Sequence, residues 1–327
     1  MNVASLSADP SFYEVYKNSG FYPELVLFGT LRFMLAIACI GFNVALLFVT
    51  IRSKRLRGRC NILIGFDAVC SIATFSTNIP PFFIVASGTN FIPISNCFWI
   101  QILPAIGINL LLGAMLSVGI DRLLSVAAPV WSAMANPKIY LFVLICSCFA
   151  YASYAVWLLF LTNVLQTSDR DLYVGSVGRQ LFYNAMIFTG LTLFCYLAIW
   201  ALIRIRKFTN NEIKPEADYT RRLFNSLASI VLLVSVGYFL NAIFLILLPT
   251  FGLNNVQSVF ASYLLHLATD LTGALNAPLL YLLSTEYRKA FDELFGRAVF
   301  VWRGNGSQSA VGPPHSMNIV RVALNNN

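Results

Sequence analysis

The sequence predicts an all-α membrane protein: a seven-transmembrane helix bundle followed by a short interfacial helix. The first observation is composition, since the 327-residue chain is 58% hydrophobic and only 11% charged, whereas soluble domains usually hold about 25% charged residues. The second is that the apolar residues fall into seven stretches, each near the roughly 20 residues that a helix needs to cross a bilayer. The third is that the basic residues cluster on alternate connections between these stretches.

The seven stretches follow one another along the chain. The second is interrupted near its end by Pro80-Pro81, because proline lacks the amide hydrogen that a helix interior uses. The third carries no charge from Cys97 until Asp121, and a helix from Cys97 to Arg122 would measure about 37 Å. The predicted spans are residues 25–51, 61–86, 97–120, 139–162, 181–203, 223–248 and 257–283.

The basic residues predict the orientation of the chain. The connection from Arg52 to Arg59 carries five positive charges in eight residues, which predicts a cytoplasmic loop and therefore an extracellular N-terminus and a cytoplasmic C-terminus. In this topology 18 of the 22 Lys and Arg lie inside. The net charge of +8 thus reflects the cytoplasmic excess of basic residues that is typical of a multi-pass plasma-membrane protein in a lipid bilayer. No nucleic-acid partner is predicted.

Four parts of the chain follow from these boundaries: an extracellular tail (1–24), the transmembrane domain (25–283), an amphipathic interfacial helix (284–297) and a disordered cytoplasmic tail (298–327). The helix is predicted because Phe291, Leu294 and Phe295 recur at helical spacing with charges between them. The final segment is rich in Gly, Ser, Asn and Pro, a composition that favours disorder.

Catalysis and metal binding are not predicted. The seven cysteines and two histidines show no metal-ligand spacing. The spans contain no Ser/His, paired-carboxylate or His-rich constellation that would indicate an enzyme. No cofactor is therefore expected.

Four motifs together carry a resemblance. They are Cys60-Asn-Ile-Leu-Ile-Gly at the start of the second span, Gly119-Ile-Asp-Arg-Leu-Leu-Ser-Val at the end of the third, Pro278-Leu-Leu-Tyr in the seventh, and Glu286-Tyr-Arg-Lys-Ala-Phe after it. With them the chain resembles a rhodopsin-like G-protein-coupled receptor and is most similar to the nematode serpentine chemoreceptors of the Srsx class, over roughly residues 27–296.

The resemblance implies roles for the residues that match. Arg122 would pair with Asp121 at rest and meet a heterotrimeric G protein when active. The C-terminal helix of Gα would then dock against Arg122 and the loop that begins at Pro129.

The remaining matches concern the helices that move. Asn43 would hydrogen-bond neighbouring helices, Pro278 would kink the seventh helix and Tyr281 would swing inward.

Several positions depart from the pattern of the family. Asn276 stands one place early, with Ala277 directly before the proline, and Ser71 occupies the place of the second-helix aspartate. Asp67 lies one turn nearer the cytoplasm and is interpreted as part of the switching network, with a plain interhelical hydrogen bond as the alternative. The sixth span has Val-Gly237-Tyr in place of Trp-x-Pro, so flexibility at Gly237 is a possible substitute for the usual kink.

Ionisable residues inside the spans are candidates for the ligand pocket, because each costs about 2.5–3.5 kcal/mol on insertion scales. Arg32 either reaches the outer headgroups or pairs with Asp270, which in turn is either a structural partner or a ligand anchor. His266, one turn from Asp270, is a pocket residue or a packing residue. Four further polar residues line the pocket or bond between helices: Asn109, Asn184, Thr189 and Tyr196.

The predicted function is that of a chemosensory receptor for a small ligand. A neuropeptide-type receptor of the same superfamily and a small-solute membrane transporter are the alternatives. A retinal pigment is disfavoured, because residues 257–283 contain no lysine for a Schiff base.

Overall fold

A computed structural model describes residues 12–17, 20–165, 176–209 and 235–305. The regular structure in these ranges is helical, which confirms the all-α prediction. The α-helices are α1 Phe12–Tyr16, α2 Pro23–Arg52, α3 Arg59–Phe75, α4 Ile79–Ala86, α5 Ile94–Ala127, α6 Pro129–Met134, α7 Pro137–Leu165, α8 Ser176–Thr209, α9 Ser235–Leu247, α10 Asn255–Leu283 and α11 Thr285–Asn305.

Five membrane spans in the described part of the chain are long and apolar enough to cross a bilayer. They are Pro23–Arg52, Arg59–Ala86, Asn96–Ala127, Pro137–Leu161 and Gln180–Ile205. The described part of the sixth span is the shorter apolar helix α9, and the predicted start of that span at 223–234 lies outside the described residues. The seventh span is α10, which has 29 residues and is not among these five.

The predicted break in the second span is present. A 3-10 turn, Ser76–Asn78, separates α3 from α4, and prolines occupy the first positions of α4. The proline rings exclude a regular α-helix through the preceding turn, because they lack a donor and collide with carbonyl oxygens four residues earlier. The break brings Asn78 into the bundle, where its side chain is buried.

Helix α5 lies at the centre of the bundle and packs against α3, α7 and α8, while α2 packs against α3, α4 and α10. Gly107 allows α5 to approach α3 closely, since a Cβ atom there would lie 2.6 Å from the backbone nitrogen of Thr74. Gly237 does the same for α9 and α10, because its Cβ atom would lie 2.9 Å from the Thr272 methyl group. Small residues at such contacts are the usual means of helix association in membranes.

The helix after the seventh span is longer than predicted. It continues to Asn305, so residues 298–305 of the predicted disordered tail are helical, and residues 306–327 lie outside the described part. Residues 297–303 contain no Gly or Pro, so nothing in them ends the helix, and the change to a Gly- and Ser-rich composition comes only afterwards. Phe291 and Leu294 pack against the core formed by α2, α3 and α10.

Candidate functional site

Two polar regions lie at opposite ends of the bundle, and we name them after one residue each. The Arg122 end is the end of the bundle at which α5 terminates. Helix α5 stops at Ala127, and Pro129 occupies the first turn of α6, as proline does readily because its missing N–H would be unpaired there. The side chain of Arg122 is 21% exposed and that of Asp121 is 5% exposed. The pair thus lies at the edge of the bundle, partly open to its surroundings.

Among the described residues, the nearest partner of Arg122 is a cysteine. Its Nε–H donates to Sγ of Cys60 at 2.8 Å, whereas Oδ2 of Asp121 lies 3.7 Å from the same nitrogen. The second distance permits charge attraction but exceeds that of a hydrogen bond. The predicted Asp121–Arg122 pair is therefore present as an ion pair, while the Nε–H of Arg122 is directed at Cys60.

Asp121 is also close to a second arginine. Arg59, the first residue of α3, lies within electrostatic range of the Asp121 carboxylate, as does Tyr140 of α7. Arg59 donates to Oγ of Ser132 in α6 at 2.8 Å and lies over the Tyr140 ring at 5.4 Å. These contacts join α6 and α7 to the start of α3.

Two buried tyrosines face Arg122 from other helices. Tyr196 of α8 is 4% exposed and Tyr287 of α11 is 1% exposed, and both act electrostatically on the guanidinium. Burial raises the pKa of Tyr287, so this phenol stays neutral. Tyr287 was not among the predicted site residues, although its spacing to Ala290 and Phe291 could have revealed a buried face of α11.

Two of the residues with predicted roles in movement make other contacts in this structure. Tyr281 does not point into the bundle: its hydroxyl donates to Oδ1 of Asp292 in α11 at 3.0 Å, because the turn at Ser284 brings α11 beside it. Asn43 does not bridge helices through its amide group, which donates to the Cys39 carbonyl oxygen at 2.9 Å in its own helix. That carbonyl lies one helical turn away and is in easy reach.

The middle of the bundle contains a bond between α3 and α10. Asn276 donates to Oδ2 of Asp67 at 3.2 Å, and Asp67 is buried. Asn276 stands one place before the position expected in the family, and Asp67 lies one turn from the position of the second-helix aspartate. The two displaced residues thus contact each other. Pro278 lies within α10, directly after Ala277 and one turn from Ala274, and both alanines are buried in the bundle.

At the opposite end, which we call the Asp270 end, the two intramembrane charges form an ion pair. Nε of Arg32 in α2 lies 2.9 Å from Oδ2 of Asp270 in α10, and their side chains are 22% and 8% exposed. Asn78 donates to the same oxygen at 3.2 Å. His266 binds the Ser262 carbonyl through Nδ1 at 2.6 Å and lies within electrostatic range of both charges.

The other pocket candidates are distributed along the bundle. Asn109 donates to the carbonyl oxygen of Ala105 in its own helix at 2.7 Å, and Thr189 does the same to Ala185. Asn184 lies beside Tyr151 of α7. Tyr196 lies apart from Asn184, because twelve residues of helix separate the two by about 18 Å, and it faces Arg122.

An aromatic cluster covers the Asp270 end. Phe12 and Tyr16 of α1 pack against Phe260 of α10, with ring centroids 6.0 and 6.4 Å away. Asn90, whose backbone has φ 54°, donates to the carbonyl oxygens of Tyr16 and Gly20 at 3.1 and 2.7 Å. The end of the predicted N-terminal tail therefore lies on the bundle.

A helical bundle that closes its third span with an Asp-Arg pair, and that lays an amphipathic helix beneath its seventh, defines the class of serpentine seven-transmembrane receptors. Residues 35–295 match the family described as serpentine type 7TM GPCR chemoreceptor Srsx, and because this is well over half of the chain, the chain belongs to that family. No curated protein matches it. The predicted resemblance and the seven-helix architecture are confirmed, and the family is one of membrane receptors rather than enzymes.

Proposed function

We propose that this receptor binds a small ligand at the Asp270 end and activates a heterotrimeric G protein at the Arg122 end. The Arg122 end would face the cytoplasm and the N-terminus the outside of the plasma membrane, in agreement with the basic connection from Arg52 to Arg59. The family supports a chemosensory role. The observation that carries the proposal is the position of Arg122, which is partly exposed at one end of the central helix α5.

The surface beside Arg122 is suited to a docking helix. Helix α6 exposes Val130, Trp131 and Met134, with fractions of 72%, 52% and 81%. The same helix contacts the cation of Arg59 through Ser132. An apolar surface next to a cation fits an amphipathic partner helix, and the C-terminal helix of Gα is the partner we propose. We propose that the basic connection between the fifth and sixth spans, residues 204–222, contributes as well; its residues from 210 onward lie outside the described part of the chain.

The ligand is proposed to act on the interaction between the two charges at the other end. The ion pair of Arg32 and Asp270 joins α2 to α10, and the bond from Asn78 adds the start of α4. A ligand that competes for either charge would loosen these three elements together. It can shift the balance of states only through a difference in its affinity for them.

The proposed function is tested with the purified receptor in lipid nanodiscs and a panel of heterotrimers, one from each Gα class. Acceleration of guanine-nucleotide exchange by the receptor above the receptor-free rate supports the proposal. If no heterotrimer responds, with or without members of a library of small volatile compounds and peptides, and a compound is instead carried across vesicles that contain the receptor, the protein is a transporter.

The place of the ligand is tested with the neutral double variant Arg32→Gln/Asp270→Asn. For any agonist found in the library, we expect a higher half-maximal concentration with an unchanged maximal exchange rate. The matched control is Arg55→Gln/Glu293→Gln, which removes the ion pair of 2.9 Å outside the Asp270 end and should leave the half-maximal concentration unchanged. An unchanged half-maximal concentration in the double variant would place the ligand elsewhere.

A further inference from the structure

Arg122 makes its directional contact with a thiol. The Nε atom of a guanidinium carries one hydrogen, and in this structure it is directed at Sγ of Cys60, 2.8 Å away. The closest oxygen of Asp121 is 3.7 Å from that nitrogen, beyond hydrogen-bond distance. The single N–H of this atom is therefore used by Cys60 and not by the neighbouring carboxylate.

Cys60 is held firmly in place. It is the second residue of α3 and 4% exposed, and it belongs to a core that includes Leu63, Tyr287 and Ala290. Its neighbour Arg59 is fixed by the 2.8 Å bond to Ser132. Burial in this core and the bond of Arg59 thus hold the thiol in place when the guanidinium moves away.

The Asp121 carboxylate interacts with several groups besides Arg122. It lies within electrostatic range of Arg59 as well as 3.7 Å from Arg122, and Tyr140 faces it from α7. One carboxylate thus balances the charge of two arginines. This arrangement compensates charge at the end of α5 but does not fix the position of either guanidinium.

We propose that Cys60 is the resting-state partner of Arg122, and that the N–H···S bond between α5 and α3 holds the arginine until a G protein docks. This inference rests on the proposed function, in which Arg122 meets Gα. A neutral thiol is a weak acceptor, and a bond to it is weaker than a charge-assisted bond to a carboxylate. Cys60 is therefore a positioning residue that sets how readily Arg122 is released, and hence the activity without ligand.

The first test compares nucleotide exchange without ligand for Cys60→Ala and Cys60→Ser. Alanine cannot accept a hydrogen bond, so release of Arg122 should raise exchange about five-fold, the effect of losing one modest hydrogen bond. Serine retains an acceptor and should stay near the wild-type rate. Cys70→Ala, at an equally buried cysteine of α3, is the matched control and should leave exchange unchanged.

Two results of this test would overturn the inference. One is an equal rise in Cys60→Ala and Cys60→Ser, since packing rather than hydrogen bonding would then explain both. The other is a larger rise in Asp121→Asn than in Cys60→Ala, because the carboxylate would then be the partner that restrains Arg122.

The second test needs no G protein. Thermal unfolding is measured in detergent for Cys60→Ala, Arg122→Ala and the double variant, relative to wild type. If the two side chains are partners, the double variant loses less stability than the two single losses added together. Strict additivity overturns the inference. Coupled losses together with a wild-type receptor that activates no heterotrimer would leave the contact established and refute the proposed function instead.

Discussion

Asp270→Asn is expected to lower the thermal stability of the receptor, because it leaves the guanidinium of Arg32 in the bundle without its counter-charge. The charged atoms are 2.9 Å apart, which at an effective dielectric constant of about 20 corresponds to roughly 6 kcal/mol of gross attraction. Much of this is offset by desolvation, and removal of one partner of a buried pair costs about 3–5 kcal/mol. The Arg32 side chain is 22% exposed, so the lower value, about 3 kcal/mol, applies.

The assay is thermal unfolding of the purified receptor in detergent, followed by intrinsic fluorescence. At 2–4 °C for each kcal/mol, the midpoint should fall by roughly 6–12 °C in Asp270→Asn. The bond from Asn78 can persist, because asparagine at position 270 still offers a carbonyl oxygen. The change therefore isolates the loss of charge.

The control is the neutral double variant Arg32→Gln/Asp270→Asn, which removes both charges. It should recover most of the loss and unfold within about 3 °C of wild type, since no uncompensated ion remains. The reasoning is refuted if Asp270→Asn unfolds at the wild-type temperature. It is equally refuted if the loss in the double variant equals the sum of the losses in Asp270→Asn and in the single variant Arg32→Gln.

Three further outcomes are expected in the same unfolding assay. Asp67→Asn should match or exceed wild-type stability, since in the described part of the chain no cation pairs with this buried carboxylate; a large loss would contradict this. Gly107→Ala should destabilise the receptor, because the added Cβ atom would lie 2.6 Å from the backbone of α3. Gly41→Ala, with nothing within 4 Å of the added atom, should be neutral or increase stability by up to about 1 kcal/mol. Equal effects of the two changes would contradict the close approach of α5 to α3. Tyr287→Ala should cost about 3 kcal/mol or more by leaving a cavity, and Tyr281→Ala less than about 1 kcal/mol; the reverse order would show that Tyr281 is the packed residue.

The positions of charge in the bundle could be predicted from the sequence. Arg32 and Asp270 are isolated charges in apolar runs, and a charge in a bilayer needs a partner or an aqueous path. The break before α4 was equally predictable, because Pro80-Pro81 has a local effect on the chain that no packing can remove. Both features depend on a large local free-energy cost, that of a charge in the bilayer in the first case and that of proline within a helix in the second.

The contacts around Arg122 could not be predicted in the same way. Cys60 lies 62 residues from Arg122 and in an apolar context, where a cysteine is expected to pack as a small hydrophobic residue. Whether its thiol meets a guanidinium depends on the register between α3 and α5, and side-chain patterns do not determine that register.

The tyrosines after Pro278 illustrate a different difficulty. Tyr281 matched the family motif, but the direction of its side chain depends on where α11 begins after the turn at Ser284. Tyr287 lies beyond that turn, so its burial under the bundle follows from the angle between α10 and α11. Motif position alone therefore could not distinguish the two residues.

The most direct test of the account is guanine-nucleotide exchange by a responsive heterotrimer in the presence of wild type, Arg122→Ala and Arg55→Ala receptors in nanodiscs. Arg55 is an exposed arginine that pairs with Glu293 at 2.9 Å, so its variant controls for the loss of one positive charge. We predict that Arg122→Ala reduces exchange to the receptor-free rate while Arg55→Ala remains near wild type. Exchange by Arg122→Ala at the wild-type rate would contradict the central claim that Arg122 is the output residue of this receptor.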